Sequence, residues 1–184
     1  IGQTDLQFTN EINPNVDVLF LCLGHGFSGT FLQENPMNDN TKIIDLSNEF
    51  RLQKDQHYLE KSYVYGLPEY QKQTIESAQA VANPGCFATA IQLALLPLAN
   101  EGLLQNDVQV HAITGSTGAG VKPSATSHFS WRNNNVSWYK PFTHQHLGEI
   151  NETLKALQSD AANINFLPIR GNFTRRIFAS AYTT

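Results

Sequence analysis

Three short apolar segments in the first half of this chain each stop at a cluster of turn or polar residues, and this recurrence constrains the fold most. Val16 to Leu23 is a continuous apolar run, as in a parallel strand covered on both faces. It ends in Gly24-His25-Gly26-Phe27-Ser28-Gly29. Lys42 to Leu46 reads as a second strand, closing in Asp45-Leu46-Ser47-Asn48-Glu49-Phe50-Arg51. Gln79 to Ala82 is a third, running into Asn83-Pro84-Gly85-Cys86. Strands alternating with helices imply a doubly wound sheet up to about residue 83. Open sheets of that kind take ligands beyond the carboxyl ends of their strands, so the three ends mark one candidate binding edge. The glycine loop at 24–29 is not read as the G-x-G-x-x-G fingerprint and, taken alone, is weak evidence for phosphate binding. Residues 52 to 78 read as polar, aromatic and irregular, with a turn at Gly66-Leu67-Pro68-Glu69.

The second half has a different character. Ile91, Leu95 and Leu98 follow Cys86 at helical offsets, with Pro97 near the end of that helix. Asp107 to Thr114 is a strand, followed by the loop Gly115-Ser116-Thr117-Gly118-Ala119-Gly120. Residues 126 to 142 are rich in Ser, Asn and aromatics, among them Trp131, Trp138 and Tyr139. Leu147, Ile150, Leu154 and Leu157 form an amphipathic stripe that predicts a helix over 147–159. Ile164 to Pro168 and Thr174 to Thr183 are β-like. The fold class expected is therefore α/β followed by α+β. Residues 1–84 form one domain and 85–184 another, the second with a mostly antiparallel sheet.

With 184 residues, 41% hydrophobic and 15% charged, the chain suits one globular domain or two small ones. The net charge of −4, with scattered Lys and Arg, argues against a nucleic-acid groove or a polybasic membrane patch. No apolar run reaches membrane-spanning length, and no signal segment opens the chain. Two cysteines make a disulfide scaffold improbable and a reducing cytoplasm the default. Cys22 sits in an apolar run and reads as core. The chain starts without Met and stops while still reading as a strand, so both ends look cut from something longer.

Cys86 stands where the turn Asn83-Pro84-Gly85 becomes a helix. Unpaired N–H groups and the positive end of the macrodipole there favour an anion, and the thiolate is the reactive form of cysteine. The same amides can hold an oxyanion. A small buried apolar cysteine is the competing reading. A thiol nucleophile needs an acid/base partner, and His144-Gln145-His146 lies just ahead of the predicted second helix. Both imidazoles fall on one side if that segment is extended; a helix cap or a surface pair is the alternative. No Cys or carboxylate cluster accompanies them, so no metal site is expected. Glu149 either faces the same cleft or simply favours the helix N-terminus. His25, His57, His111 and His128 stand alone and read as structural, His25 least firmly. Arg51, Lys122, Arg170 and Arg175 are candidates to hold a carboxylate or phosphate. The 115–120 loop either brings amides to an anion or is a tight connection.

These residues resemble a known family. Asn83-Pro84-Gly85-Cys86 followed by Phe87 and Thr89-Ala90 is similar to the active-site motif of the N-acetyl-gamma-glutamyl-phosphate reductases. So are Asp45-Leu46-Ser47 with Phe50-Arg51, and Tyr65-Gly66-Leu67-Pro68-Glu69. Gly115 to Gly120, His144-Gln145-His146 with Glu149-Ile150, and Phe166-Leu167-Pro168 ahead of Arg175 follow in the family's order. The family belongs with the aspartate-semialdehyde and glyceraldehyde-phosphate dehydrogenases. The resemblance runs from about residue 16 to the end. It implies a partial NADP-binding Rossmann-type domain and a partial catalytic and oligomerising domain, assembling as a homodimer or homotetramer. It also implies reduction of a small-molecule acyl phosphate to a semialdehyde in arginine biosynthesis, through a thioester.

By the same resemblance Cys86 is the nucleophile, with His146 or His144 as acid/base. Asn83, Arg51, Glu149, Ser116 and Arg175 meet the substrate, and Gly24, His25, Gly26, Ser47 and Gly118 meet NADP. Several features depart from the family. Its glycine-rich phosphate loop belongs ahead of Ile1, and about a quarter of a typical member is missing after Thr184. Leu23-Gly24-His25-Gly26 stands for Leu-Pro-His-Gly, and Arg176 stands where Gly is common. The competing functions are an aspartyl-phosphate reductase, a cysteine hydrolase or acyltransferase without redox cofactor, and a bare oligomerisation unit. Acetyl and succinyl substrates remain equally open.

Overall fold

Parallel pairing sets the three apolar segments side by side. The computed structural model describes residue 5, residues 7–120 and residues 122–184. Residues 1–4 and 6, with which the expected first domain opens, and Val121 lie outside the described residues. The chain divides into two compact units, Ile1–Asn83 and Pro84–Thr184.

In the first unit β1 (Val18–Leu21), β2 (Lys42–Asp45) and the later strands β3 (His57–Tyr58), β4 (Lys61–Tyr65) and β5 (Ala80–Ala82) make one sheet. Its order is β1-β2-β5-β4-β3. The pairings β1–β2, β2–β5 and β5–β4 are parallel, and only the short β3 runs antiparallel. The helices are α1 (Ser28–Glu34) and α2 (Pro68–Ser77). Leu21, Leu32, Ile43, Phe50, Tyr63, Ala80 and Ala82 form the core. Phe50 stacks on Tyr63 with ring centroids 4.1 Å apart. Because β1, β2 and β5 are adjacent and parallel, their carboxyl ends lie along one edge, as the sequence predicts. Gly66 is required where the chain leaves β4, since a Cβ there would lie 2.6 Å from Val81 Cγ1.

Three expectations need correction here. Residues 52–78 are ordered as β3, β4 and α2 rather than irregular. Lys61–Tyr65 alternates, with Tyr63 and Tyr65 buried, while α2 buries no residue and so leaves no apolar stripe to read. β1 is not covered on both faces, because Val18 is 42% and Phe20 61% exposed. Cys22 lies past the end of β1 and is exposed, not core.

The second unit holds α3 (Cys86–Asn100), β6 (Val108–Thr114), α4 (Phe129–Arg132), β7 (Ser137–Trp138), α5 (His146–Leu157), β8 (Ile164–Arg170) and β9 (Ile177–Tyr182). Its sheet order is β7-β8-β6-β9. The outer pairings β7–β8 and β6–β9 are antiparallel, as expected for most of this sheet. The central pairing β6–β8 is parallel, because the chain between those strands crosses over through α5, as a parallel pair requires. One sheet face is lined by Val108, Val110, Ala112, Ile164 and Phe166, all buried. The helices α3 and α5 pack against each other and against this sheet. The opposite face carries the row Trp138, Ile169, Ile113 and Phe178 in register.

Candidate active site

Cys86 is the first residue of α3 and its side chain is exposed. The buried-cysteine reading is thereby ruled out. The helix starts cleanly because Thr89 returns both its N–H, at 2.8 Å, and its hydroxyl, at 3.0 Å, to the carbonyl of Gly85. Gly85 itself has an ordinary φ of −65°. It is glycine for space, since a Cβ would land on the His146 ring and 2.6 Å from Glu149 Oε1. The imidazole and carboxylate of α5 therefore lie directly against the residue preceding Cys86.

Glu149 is buried and well held. Its Oε2 accepts the Gly85 N–H at 3.0 Å. Its own carbonyl accepts from Gln92 Nε2 at 3.1 Å and Thr153 Oγ1 at 3.0 Å. His146 Nε2 stands 3.9 Å from Glu149 Oε1. Glu149 is thus turned towards Gly85, the residue before Cys86, and it also lies in the first turn of α5.

The two histidines divide. His146 presents its Nε2 edge to Gly85, whereas His144 Nδ1 accepts the His146 N–H at 3.2 Å and so caps α5. His144 is 4% exposed and ringed by Phe87, Tyr139, His146 and Phe166, with ring centroids 4.6–5.7 Å away. Burial, reinforced by His146 and Lys140, pushes its pKa down from the ordinary value near 6.5 to about 4. His144 is therefore neutral near pH 7.

Two neighbours were not singled out as site residues from the sequence. Tyr139 packs edge-on to His144 and near Phe87. Burial raises its pKa, Arg170 pulls it back, and Cys86 adds to the rise. The Arg170 guanidinium lies over the Tyr139 ring at 4.6 Å. In the sequence Arg170 stood among the general candidates for anion binding, and Tyr139 among the aromatics of residues 126–142.

The 115–120 loop follows β6 and is a short helical turn at Ser116–Ala119. It is laced to residues 173–176. The N–H and Oγ of Ser116 both donate to Phe173 O, and Thr117 Oγ1 donates to Thr174 O. Gly115 has no room for a Cβ, whereas Gly118 has ordinary space. This is the tight connection among the two readings of the loop. Arg175 is exposed beside it.

In the first unit Gly24 and Gly26 adopt φ of +90° and +84° in an exposed turn, with His25 exposed between them. Gly24, Gly26 and Gly29 in fact fall at the G-x-G-x-x-G spacing, after a strand and opening a helix. The first amides of α1 are nonetheless taken: Ser28 N and Gly29 N donate to the Glu49 carboxylate at 2.7 and 3.1 Å. The hydroxyls of Ser28 and Ser47 both donate to Asp45 at 2.6 Å, and the Ser47 hydroxyl also accepts the Glu49 N–H at 3.1 Å. Arg51 is 6% exposed and gives Nε to Asn83 O and Nη2 to Leu46 O. It thereby ties two strand ends together. Asn83 is exposed at that edge, its N–H bonded to Asp45 O. Of the histidines read as structural, His57 bonds Ser62, His128 caps α4 and His111 packs on Tyr182. Among the described residues no three His, Cys, Asp or Glu gather as metal ligands, and no helix is long and apolar enough to cross a membrane.

A parallel sheet unit followed by a mixed sheet that places an exposed cysteine beside a buried imidazole and carboxylate defines a class. The chain belongs to the semialdehyde dehydrogenase family. Residues 2–78 match its NAD binding domain, and residues 86–184 match its dimerisation domain. Along its whole length the chain is 62% identical to an N-acetyl-gamma-glutamyl-phosphate reductase of Flavobacterium johnsoniae and 56% identical to one of Christiangramia forsetii. It covers 57% and 56% of those two proteins, and so spans little more than half their length. Among solved structures, aspartate semialdehyde dehydrogenase II of Vibrio cholerae matches 95% of this chain over 58% of its own, at 15% identity and a TM-score of 0.67. The Candida albicans aspartate semialdehyde dehydrogenase with NADP matches 90% over 49%, at 9% identity and a TM-score of 0.56. These structural likenesses bear on the fold.

Proposed function

We propose that this chain carries the nucleophile of an N-acyl-gamma-glutamyl-phosphate reductase, acting with NADPH in arginine biosynthesis. The observation that carries the reading is the exposed Cys86 thiol at the head of α3, with His146 and Glu149 packed on Gly85. Cys86 attacks the γ-carbonyl of the acyl phosphate, phosphate leaves, and a thioester remains on Sγ. NADPH, when bound, supplies the hydride that reduces that carbon. His146 gives a proton to the oxygen as the thiohemiacetal forms and takes it back as the aldehyde departs and the thiolate is restored. The α3 amides stabilise the developing oxyanion, and each such donor is worth about 2.7–4 kcal/mol. Glu149 orients the imidazole. Asn83, Arg51, Ser116 and Arg175 remain proposed substrate contacts.

The edge formed by Gly24, His25 and Gly26 suits the cofactor's rings. A Cβ added at either glycine would meet nothing within 4 Å, and Leu23 and Leu46 are exposed there. It does not suit the pyrophosphate, whose amides Glu49 occupies. Within the first unit these three residues, with the backbone of Ser47, would hold the ring portion; within the second, Gly118 is the proposed contact. The face with exposed Trp138 and Phe178 and half-buried Ile113, in a region that matches a dimerisation domain, is the proposed homo-oligomer surface.

The test is run in the oxidative direction on the protein that carries this chain, with NADP+ and phosphate. N-Acetyl- or N-succinylglutamate semialdehyde should support phosphate-dependent NADPH formation, and aspartate semialdehyde should not. Cys86→Ser should abolish turnover while leaving the fold intact, and turnover at the unmutated rate would exclude the thioester route. His146→Gln should lower kcat by about 10²–10⁴ with little change in NADP affinity.

A further inference from the structure

A fully buried amide joins the two helices that carry the proposed reacting groups. Gln92 is 0% exposed on α3, among the buried apolar residues Ile91, Leu95 and Leu96. A leucine or methionine would fill such a position with no polar atom to satisfy, so an amide there needs its hydrogen bonds. Gln92 Nε2 donates to the backbone carbonyl of Glu149 at 3.1 Å. Gln92 stands in line with Thr89 and Gly85 at helical offsets, on the side of α3 that meets α5. His146, Glu149 and Thr153 are in line on α5 by the same spacing.

Two hydrogen bonds thus run to Glu149 from the α3 side: the Gly85 N–H reaches its carboxylate, and the Gln92 amide reaches its carbonyl. They restrain different motions. The Gly85 bond ends on a carboxylate that side-chain torsions can swing, so it sets where that carboxylate points. The Gln92 bond ends on the backbone, so it sets how far along α3 the helix α5 lies. A slip of one residue between helices is about 1.5 Å, and a misplacement of about 1 Å at a reacting group costs about 10²-fold in rate. The Glu149 carbonyl also accepts from Thr153 Oγ1, at 3.0 Å. That bond lies within α5. It keeps the carbonyl satisfied if the amide is removed, but it cannot hold one helix in register with the other.

We propose that Gln92 is a positioning residue: it locks α5 against α3 at Glu149, and so holds the His146 imidazole in place beside the Cys86 thiol. The assignment rests on the reading of Cys86 and His146 as the reacting pair of the proposed reductase. Gln92 acts through Glu149 and His146. An imidazole held beside a thiol favours the thiolate, so the tether is felt at Cys86 even with no substrate bound.

Two measurements on the protein that carries this chain test the assignment. The first is the pH profile of alkylation at Cys86 by neutral iodoacetamide, resolved from Cys22 by peptide mass spectrometry. Gln92→Met conserves volume and removes the amide, and Gln92→Leu serves if the methionine variant does not fold. The Cys86 profile should move to higher pH, and that of Cys22 should stay. Thr153→Val removes the other side-chain bond to the same carbonyl and should move neither. An unchanged Cys86 profile in Gln92→Met, or an equal move in Thr153→Val, overturns the assignment. The second is steady-state kinetics in the oxidative direction. Gln92→Met should lower kcat about tenfold, part of the roughly 10²–10⁴ that an acid–base group contributes, and leave KM for the semialdehyde unchanged. In a Glu149→Gln background the same change should cost less than about twofold more, because both residues act through one imidazole. Full additivity overturns the assignment, since a purely structural loss would add. If the Cys86 profile moves but no N-acylglutamate semialdehyde is turned over by the unmutated protein, the reductase reading fails while Gln92 stands as the residue that positions the pair.

Discussion

Glu149 Oε2 accepts the backbone N–H of Gly85 at 3.0 Å, a contact between residues 64 positions apart. It fixes the first turn of α5 to the residue that precedes α3, beside the Cys86 thiol. The contact exists because Gly85 has no side chain. Gly85→Ala would drive a Cβ into the His146 ring and against Glu149. Neither neighbour can swing away, because both are buried. The expected cost is about 1–3 kcal/mol, read as a lower midpoint in urea. Gly118→Ala is the matched control. Its nearest contact would be 3.4 Å, to Thr114 Oγ1, at an ordinary φ, so the change should stay within about 0.5 kcal/mol. Equal effects at the two sites would show that crowding at Gly85 does not matter.

His144 makes stability depend on pH in a definite direction. Its folded pKa of about 4 lies below the ordinary 6.5. Between those values the unfolded chain takes a proton at this ring that the folded chain refuses. Stability must then fall as pH drops from 6.5 towards 4, by up to about 3 kcal/mol at 1.36 kcal/mol per pKa unit. His144→Asn keeps an acceptor for the His146 N–H and removes the titration. Its thermal midpoint should decline less steeply than that of the unmutated chain over the same pH range. Parallel declines would show that His144 is not the group responsible.

Much of this site could be read along the chain, because its signals are local. Turn residues ahead of Cys86, apolar offsets after it, and paired histidines ahead of an amphipathic stripe each need only neighbours to be recognised. The strands β1, β2 and β5 were legible for the same reason. What failed depends on packing. The polar helix α2 buries nothing, and the parallel β6–β8 pair alternates just as an antiparallel one would. The division between His144 and His146 follows from which ring Phe87, Tyr139 and Phe166 enclose, and no spacing rule contains that. The hydrogen bonds from Arg51 to the carbonyls of Asn83 and Leu46 were equally out of reach, because two strand ends supply them and only the fold brings these together.

Arg176 occupies a backbone position suited to glycine. Its φ is +89°, and it stands where the resembling family commonly has Gly. Its carbonyl accepts the Gly115 N–H at 2.9 Å, closing the turn against the 115–120 loop, so the conformation is held in place despite its cost. That cost is about 1–2 kcal/mol for a residue with a Cβ, and the side chain is exposed and contributes no core packing. Arg176→Gly relieves the strain but adds roughly 0.4–1 kcal/mol of unfolded-state entropy. The net expectation is a gain of about 0.5–1 kcal/mol, measured as a raised urea midpoint with unchanged slope. Arg176→Ala keeps the Cβ and should bring no gain. Stabilisation by alanine equal to that by glycine would place the cost in the guanidinium rather than in the backbone.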